Sequence, residues 1–248
     1  MIRVGLMGYG KAGQAVANVL KADPRFELCW VARRNSSAEG ETLPESTIPV
    51  IGLNGVNLSD WLDAHPVDAL VDFSKPDAVF LYGEEVRKRE LMLVSAISSY
   101  SEDELDYVRS LGADTRVLCS PNITVGINFL ILAAKLLRDI APFADVEVLE
   151  QHFREKPEIS GTARKIAQSL SLDDSQITSL RLGGIVGHHE VIFGFPYQTV
   201  RLIHDSIKRE AFGTGAAFAL SQLAACDKGM YTFDDLLMQK VRAQLMQA

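Results

Sequence analysis

The sequence predicts an α/β protein in which a parallel sheet built from βαβ units is followed by a mixed or antiparallel sheet. In the first half, apolar runs of strand length alternate with segments of helical spacing, which is typical of βαβ units. In the second half, strand-like runs follow one another without intervening helices, which favours antiparallel neighbours. We therefore predict one domain over residues 1–125, with C-terminal helices of residues 217–248 packing back on it, and a second domain over residues 126–216.

The first half contains five predicted strands and three predicted helices. The strands are Ile2–Met7, Glu27–Ala32, Ala69–Phe73, Leu91–Val94 and Thr115–Cys119. The helices are Lys11–Lys21, Pro76–Glu90 and Ser101–Leu111. Ser101 is followed three residues later by Glu104, which predicts a capping box at the start of the third helix.

The second half begins with a long apolar helix, and strands then dominate. The helix is Val125–Ile140, and it is followed by a strand over Val146–Phe153 and a helix over Gly161–Ser171. The next strands lie within Ile177–Phe195 and over Gln198–His204. Two helices close the chain, near Arg209–Ala225 and over Phe233–Met246, and Thr232 is the predicted N-cap of the last one.

The composition excludes several classes of protein. The chain has 248 residues, of which 47% are hydrophobic and 23% charged, and this is typical of a folded soluble protein. Its net charge of −7 argues against a general binder of nucleic acids or anionic membranes. No apolar run approaches the roughly 18 residues of a membrane span. Cys29, Cys119 and Cys226 are far apart within apolar runs, so we predict buried, reduced thiols and a cytoplasmic protein.

The six residues after the first strand form a G-x-G-x-x-G motif, Gly8-Tyr9-Gly10-Lys11-Ala12-Gly13. The motif lies between a predicted strand and a predicted helix, which is the setting in which it binds dinucleotides. The first glycine allows a tight turn, the second lets the backbone approach a pyrophosphate, and the third lets the helix pack closely on the strand. A plain glycine-rich turn is the alternative, but the surrounding elements favour dinucleotide binding.

Two arginines lie at the end of the second predicted strand, the position that distinguishes NADP-binding sites from NAD-binding sites. NAD sites carry an acid at the end of the second strand, whereas this chain has Ala32-Arg33-Arg34-Asn35-Ser36-Ser37 there. A carboxylate would repel a ribose 2′-phosphate, and a guanidinium group pairs with it. We therefore predict that Arg33 and Arg34 favour NADPH, with NADH as the alternative cofactor. The other interpretation is that both arginines are solvated loop residues.

The segment from Glu150 to Ala163 carries the residues best suited to chemistry. His152 can carry a proton, Lys156 can pair with a carboxylate, and Ser160-Gly161-Thr162 can present backbone N–H groups to an anion at a helix start. These groups predict a site for a small anionic molecule. A strand-end histidine beside a solvated lysine is the alternative, and the preceding dinucleotide motif argues against it.

The remaining histidines do not predict a metal centre or a hydrolase. His188 and His189 are adjacent on a predicted strand, so their side chains point to opposite faces and cannot ligate one ion. His204-Asp205-Ser206 is not a catalytic triad by its spacing, and no Gly-x-Ser-x-Gly segment is present. His189, His204 and Arg209 either line a cleft or satisfy internal hydrogen bonds.

Several motifs in order along the chain resemble the 4-hydroxy-tetrahydrodipicolinate reductase family, also called dihydrodipicolinate reductase, of lysine and diaminopimelate biosynthesis. They are the glycine motif, Val71-Asp72-Phe73-Ser74, residues 120–128, the His152 segment, residues 181–189, His204 through Arg209, Phe212, Gly215-Ala216 and residues 229–237. The resemblance implies a Rossmann-like cofactor domain, a substrate domain with an open mixed sheet, and a homo-oligomer, usually a tetramer joined through those sheets.

The resemblance also implies roles for individual residues. A nicotinamide hydride would add to a cyclic imine dicarboxylate, His152 would donate the proton, and Lys156 would be the second catalytic residue. Ser160, Gly161 and Thr162 would hold a substrate carboxylate, and Phe153 occupies the position of a substrate-contacting histidine. Further cofactor contacts would come from two later segments. These are Ala96, Ile97 and Ser98 of the nicotinamide loop, with Ser120 and Asn122 of the following one.

Three functions agree with this sequence. The first is the lysine-pathway reductase itself. The second is a related NAD(P)H-dependent reductase of another cyclic imine or enamine acid, which Phe153 and the short segment Ile166–Leu180 favour. The third is a non-catalytic NADPH-binding sensor, and the presence of His152 and Lys156 argues against it.

Overall fold

The computed structural model describes residues 1–35 and 40–246, which form two compact units. The first unit contains Met1–Thr124 and Phe212–Ala248, and the second contains Val125–Ala211. Ser36 and Ser37, which end the segment that carries the two arginines, lie outside the described residues. Among the residues that are described, no helix has both the length and the apolar character needed to cross a membrane.

The strands and helices are numbered here in chain order. The strands are β1 Ile2–Met7, β2 Phe26–Arg33, β3 Val50–Gly52, β4 Ala69–Asp72, β5 Met92–Ser95, β6 Arg116–Cys119, β7 Asp145–His152, β8 Ile177–Arg181, β9 His188–Phe195, β10 Gln198–Asp205 and β11 Gly229–Tyr231. The helices are α1 Lys11–Ala22, α2 Leu58–Ala64, α3 Val79–Lys88, α4 Glu102–Leu111, α5 Val125–Ile140, α6 Gly161–Ser169, α7 Glu210–Leu223 and α8 Phe233–Leu245.

The parallel sheet of the first unit confirms the predicted Rossmann-like class. Its strands lie in the order β11-β6-β5-β4-β1-β2-β3, and all neighbouring strands are parallel. The chain runs from β1 to one side and then crosses to the other side at β4, so the switch point lies between these two strands. Met7 at the end of β1 pairs with both Ala32 and Asp72. The loops after β1, β2 and β4 therefore leave the sheet at one edge.

Burial explains why the strands of this unit are continuous apolar runs. All four residues of β4 and all four of β5 are buried, because helices cover a parallel sheet on both faces. Trp30 and Tyr82 are the largest fully buried side chains. The capping box predicted at Ser101 is present, and Thr232 caps α8 in the same way with Asp235.

The second unit confirms the predicted mixed sheet. Its strands lie in the order β10-β9-β7-β8, with β7 and β8 parallel and the other neighbours antiparallel. Helices α5 and α6 cover one face, where Val148, Val191 and Phe193 form the core with residues of both helices. No described helix of this unit covers the opposite face, which carries Leu180, Ile192 and Ile203.

Some predicted elements were wrong in extent, and three of the numbered elements were not predicted. The predicted helix Pro76–Glu90 begins as one turn of 3-10 helix and ends at Lys88, because Glu90 adopts a left-handed backbone with φ of 52°. Helix α6 likewise ends before Ser171, whose φ is 57°. Strands β3 and β11 and helix α2 were not predicted, because three to seven residues are too few for a clear periodic pattern.

The cysteines are less buried than predicted. Cys29, Cys119 and Cys226 are free thiols, and each is half-buried. Burial raises the pKa of all three thiols, and that of Cys119 to about 11. A raised pKa lowers the thiolate fraction, so we infer that these groups are inert packing residues.

Candidate active site and cofactor pocket

The glycine motif forms the turn between β1 and α1. Gly8 has φ of +94°, and a Cβ placed there would lie 2.6 Å from the carbonyl oxygen of Phe73. A Cβ on Gly13 would lie 2.0 Å from the carbonyl oxygen of Gly8. Both positions therefore require glycine, for conformation at the first and for close helix packing at the other.

The N-terminus of α1 is open to an anion. Gly10 is its N-cap and has no side chain that could cap the helix. A Cβ added to Gly10 would have no neighbouring atom within 4 Å. The first N–H groups of a helix have no partner within the helix, and the helix dipole adds positive potential there. Lys11 and Ala12 begin the helix. These residues fit the pyrophosphate of a dinucleotide.

A cavity of about 570 Å³ lies beside this turn, between the loops that follow β1, β2 and β4. Its walls include five of the predicted cofactor residues, Gly8, Tyr9, Gly10, Arg33 and Arg34. A smaller neighbouring cavity of about 380 Å³ contains Ala12 together with Ala96, Ile97 and Ser98. Phe73, Ser74 and Lys75 line both cavities, which therefore flank the same loop.

The two arginines of the pocket are paired with carboxylates. Arg33 pairs with Glu41, and Arg34 contacts both carboxylate oxygens of Asp77 at 2.6 and 2.8 Å. Arg34 and Asp77 are both exposed, with 52% and 64% of their side chains accessible. Surface ion pairs of this kind contribute about 0–1 kcal/mol, so Arg34 can exchange Asp77 for another anion.

Ser120 and Asn122 lie outside both cavities. The Ser120 hydroxyl donates to the Asn122 carbonyl at 2.8 Å, and Ser120 is buried. These two predicted cofactor residues lie in the segment after β6, where this hydrogen bond joins them.

Sequence reasoning missed a buried carboxylate beneath the pocket. Asp72, at the end of β4, accepts hydrogen bonds from the Tyr82 hydroxyl at 2.6 Å and from the Ser74 hydroxyl and N–H at 2.5 and 2.8 Å. Burial raises the pKa of Asp72, and the hydrogen bonds from Ser74 and Tyr82 oppose this rise. These contacts hold the loop that separates the two cavities.

In the second unit, His152 lies at the end of β7 and is almost completely buried. Its Nδ1 lies 2.5 Å from Oε2 of Glu150, which is two residues earlier and therefore on the same face of the strand. On the other side of the ring, a Cβ added to Gly187 would lie 3.2 Å from His152 Nε2. His152 Nε2 thus faces Gly187, which has no side chain.

Glu150 is fully buried and accepts hydrogen bonds on both oxygens. Oε1 accepts from Ser179 Oγ at 2.7 Å, Arg181 Nη2 at 2.8 Å and Ser160 N at 3.2 Å, while Oε2 accepts from Arg181 Nη1 at 3.0 Å and from His152. Burial alone would raise the pKa of Glu150, but these donors, Arg181 first among them, lower it to about 2. The carboxylate is therefore ionised at neutral pH.

The predicted anion-binding turn, Ser160-Gly161-Thr162, lies next to Glu150, because the Ser160 N–H donates to the Glu150 carboxylate. Ser160 is the N-cap of α6 and uses its hydroxyl for His189 Nε2, at 3.0 Å, and not to cap the helix. The first N–H groups of α6, at Gly161 and Thr162, therefore begin an uncapped helix, which is the geometry that binds carboxylates and phosphates. Phe153, which directly follows His152, is 41% exposed.

Lys156 lies on the loop between His152 and Ser160. Its carbonyl accepts a hydrogen bond from Arg181 Nε at 3.0 Å, so the backbone of the loop is tied to β8. Among the residues that the structure describes, no hydrogen bond or ion pair engages the Lys156 ammonium group, which is half-buried. It remains available to an anionic ligand.

His188 and His189 point to opposite faces of β9, as predicted. His188 Nδ1 lies 2.7 Å from Asp205, whereas His189 contacts Ser160 on the face of His152. Burial, together with the nearby His152 and His204 rings, lowers the pKa of His189 to about 3. His189 is thus a neutral hydrogen-bonding partner of Ser160. In the described part of the chain, no group of three or more metal-ligating side chains is present.

Two family models together match residues 2–237 of the chain. The model described as dihydrodipicolinate reductase, N-terminus, matches residues 2–123, and the model described as dihydrodipicolinate reductase, C-terminus, matches residues 123–237. The 4-hydroxy-tetrahydrodipicolinate reductase of Caldanaerobacter subterraneus subsp. tengcongensis is 30% identical, over 96% of this chain and 98% of the relative. That of Methylococcus capsulatus is 29% identical, over 96% and 98%.

Solved structures show the same fold. A dipicolinate-bound dihydrodipicolinate reductase from Paenisporosarcina sp. TG-14 superimposes with a TM-score of 0.80 at 24% identity, over 94% of this chain and 97% of that one. The diaminopimelate dehydrogenase of C. glutamicum superimposes with a TM-score of 0.56 at 14% identity, over 94% and 93%. The family models and the full-length relatives establish that this chain belongs to the dihydrodipicolinate reductase family and is an NAD(P)H-dependent oxidoreductase.

Proposed function

We propose that this protein reduces the cyclic imine dicarboxylate derived from 4-hydroxy-tetrahydrodipicolinate, with NADPH as its preferred cofactor, in the cytoplasm. The observation that carries the proposal is the buried Glu150–His152 pair beside the uncapped N-terminus of α6, in a chain related to these reductases over 96% of its length. The pair supplies a proton and the helix start accepts a carboxylate.

The chemistry is a two-electron reduction of a conjugated imine. When bound, the nicotinamide supplies a hydride, which forms a C–H bond on the ring while an electron pair moves to the far atom of the conjugated system. His152 Nε2–H then donates a proton to that atom, which completes the addition of two hydrogens. Lys156 stabilises the negative charge that develops, and Gly161 and Thr162 hold a carboxylate through N–H groups.

The test is NADPH oxidation with freshly prepared hydroxytetrahydrodipicolinate. Oxidation that depends on this compound and yields tetrahydrodipicolinate would support the proposal. Phe153 favours one competing function, a reductase of another cyclic imine, because an exposed phenyl ring replaces a polar substrate contact. Turnover with other cyclic imine acids, but none with hydroxytetrahydrodipicolinate, would establish that function. Cofactor binding without any turnover would establish a non-catalytic role.

The cofactor preference predicts the behaviour of Arg34. We expect Arg34→Ala to raise the Kd for NADPH roughly ten-fold or more, since hydrogen bonds to charged groups contribute about 1.5–3 kcal/mol, and to leave NADH binding almost unchanged. Asp77→Asn removes the competing carboxylate, so we expect it to tighten NADPH binding. Fluorescence titration with both cofactors measures these changes. Equal losses for NADPH and NADH in Arg34→Ala would contradict a 2′-phosphate contact.

The uncovered sheet face of the second unit supports a homo-oligomer, either a dimer or a tetramer. Ile203 on β10 points to this face and is 55% exposed, so we propose that a second copy of the chain covers it. We expect sedimentation to show a dimer or tetramer for the wild type and a smaller assembly for Ile203→Glu. Ile140→Glu, at the end of α5 in the layer that covers the other face, is the matched control. A monomeric wild type would refute the proposal.

A further inference from the structure

We propose that Glu150 and Arg181 are positioning residues for proton transfer at His152. Glu150 holds the proton on His152 Nδ1, so that Nε2 is the atom that exchanges a proton with substrate, and Arg181 keeps Glu150 ionised and in place. The inference rests on the proposed function, because it assumes that His152 is the proton donor of the reaction.

The hydrogen-bonding capacity of the groups determines the tautomer. An ionised carboxylate can only accept, so the 2.5 Å contact between Glu150 Oε2 and His152 Nδ1 requires a hydrogen on Nδ1. In the neutral ring the lone pair is then on Nε2, and in the charged ring Nε2 carries the transferable proton. Gly187 leaves space at this atom, since any larger residue would place a Cβ 3.2 Å from it.

Arg181 connects this pair to the loop that carries Lys156. Its guanidinium group donates to both oxygens of Glu150, at 2.8 and 3.0 Å, and to the carbonyls of Lys156 and Glu158, at 3.0 and 2.7 Å. The strand register brings Arg181 to Glu150, because Arg181 on β8 pairs with His152 on β7 and Glu150 lies on the same face of β7. Arg181 thus fixes both the Glu150 carboxylate and the backbone of the loop that carries Lys156.

The other titratable groups near His152 do not compete for this role. His189, on β9, has its ring centroid 5.3 Å from that of His152, and burial lowers its pKa to about 3. Burial also lowers the pKa of His204 on β10. The loop that follows His152 carries the cations Arg154 and Lys156 and the anions Glu155 and Glu158, and none of their side chains is hydrogen-bonded to His152 in the described structure. Glu150 is therefore the only described anion in hydrogen-bonding contact with His152.

The decisive variant is Glu150→Gln, which removes the charge but keeps the shape. Its amide oxygen is expected at the Oε1 position, where three donors converge, and its NH₂ group then faces His152 Nδ1. The amide would donate to Nδ1 and shift the neutral ring to the Nε2–H tautomer. We expect kcat/KM to fall by roughly 10²-fold or more, with KM changing less, because the loss is in general acid catalysis.

Imidazole ¹⁵N NMR reads the tautomer without requiring activity. The chain has five histidines, so single substitutions suffice to assign the resonances. At alkaline pH we expect Nδ1–H in the wild type and Nε2–H in Glu150→Gln. Glu147→Gln is the matched control, because Glu147 lies on β7 but contacts Thr178 instead of His152. It is expected to behave as the wild type in both spectrum and turnover.

Arg181→Met supplies an independent readout that a merely structural role would not produce. Removing the cation leaves the Glu150 charge uncompensated beside His152, so the alkaline limb of the kcat/KM profile should move to higher pH. Glu150→Gln should move it to lower pH. Parallel shifts in both variants would overturn the inference.

The remaining outcomes are also decisive. An Nε2–H tautomer in the wild type would overturn the inference even if Glu150→Gln did not fold. A wild-type Nδ1–H tautomer that is lost in Glu150→Gln, in a protein that does not reduce hydroxytetrahydrodipicolinate, would support the positioning of His152 and refute the proposed substrate.

Discussion

Replacing His152 with alanine should lower kcat/KM for NADPH-dependent imine reduction by roughly 10²- to 10⁴-fold, the usual contribution of a positioned general acid. The hydride can still reach the substrate in this variant, but the electron pair that accumulates has no nearby proton. Because the site is buried, water replaces the imidazole poorly. Steady-state NADPH oxidation with hydroxytetrahydrodipicolinate measures the loss.

Two controls make this result specific. NADPH titration should give an unchanged Kd, because the cofactor pocket is built from residues of the first unit. His188→Ala removes the neighbouring histidine, which faces Asp205 on the opposite side of β9, and should retain most of the activity. Full turnover in His152→Ala would show that another group donates the proton.

Replacing Gly13 with alanine should abolish most cofactor binding and also destabilise the first unit. The new Cβ would lie 2.0 Å from the Gly8 carbonyl oxygen, which is backbone and cannot rotate away. Helix α1 must then move off β1, at a cost of about 1–3 kcal/mol of folding free energy, and its N-terminus leaves the position that meets the pyrophosphate. We expect the Kd for NADPH to rise on the order of ten-fold or more, which corresponds to 1.4 kcal/mol.

Gly10→Ala separates these two effects. A Cβ at Gly10 would contact nothing within 4 Å, so the stability of the protein should fall far less than in Gly13→Ala, by no more than the small cost of alanine at an N-cap. Only a bound pyrophosphate would occupy that space, so NADPH affinity should still fall. Urea unfolding and cofactor titration of both variants test this contrast. Wild-type affinity in Gly10→Ala would show that the pyrophosphate does not approach the backbone there.

The sheet and most helices were predictable because their signals are local. A strand buried on both faces is a continuous apolar run, and a helix packed on one side has apolar residues every three to four positions. Edge elements lack these signals. Strand β3 has three residues at one end of the sheet, and β11 has three at the other, so pairing with neighbours defines both.

The arginines show a different limit of sequence reasoning. Arg33 and Arg34 were predicted to face a phosphate from the missing acid at the end of β2. In the structure Glu41 and Asp77 reach them from later in the chain. A carboxylate that is absent from one position in the sequence can thus be supplied by another loop at the same edge of the sheet.

Residue types and short spacings were enough to predict an α/β fold with a dinucleotide turn, a histidine and an anion-binding helix start, because these features depend on neighbours within one turn or strand. The reductase activity came from the resemblance of several motifs to a known family. Residue types and spacings could not reveal which nitrogen of His152 carries the proton, or that Glu150 and Arg181 meet. Those facts depend on the register of β7 against β8, which joins residues 31 positions apart. Register follows from packing of the whole sheet, and burial then converts the contact between Glu150 and His152 into a fixed tautomer.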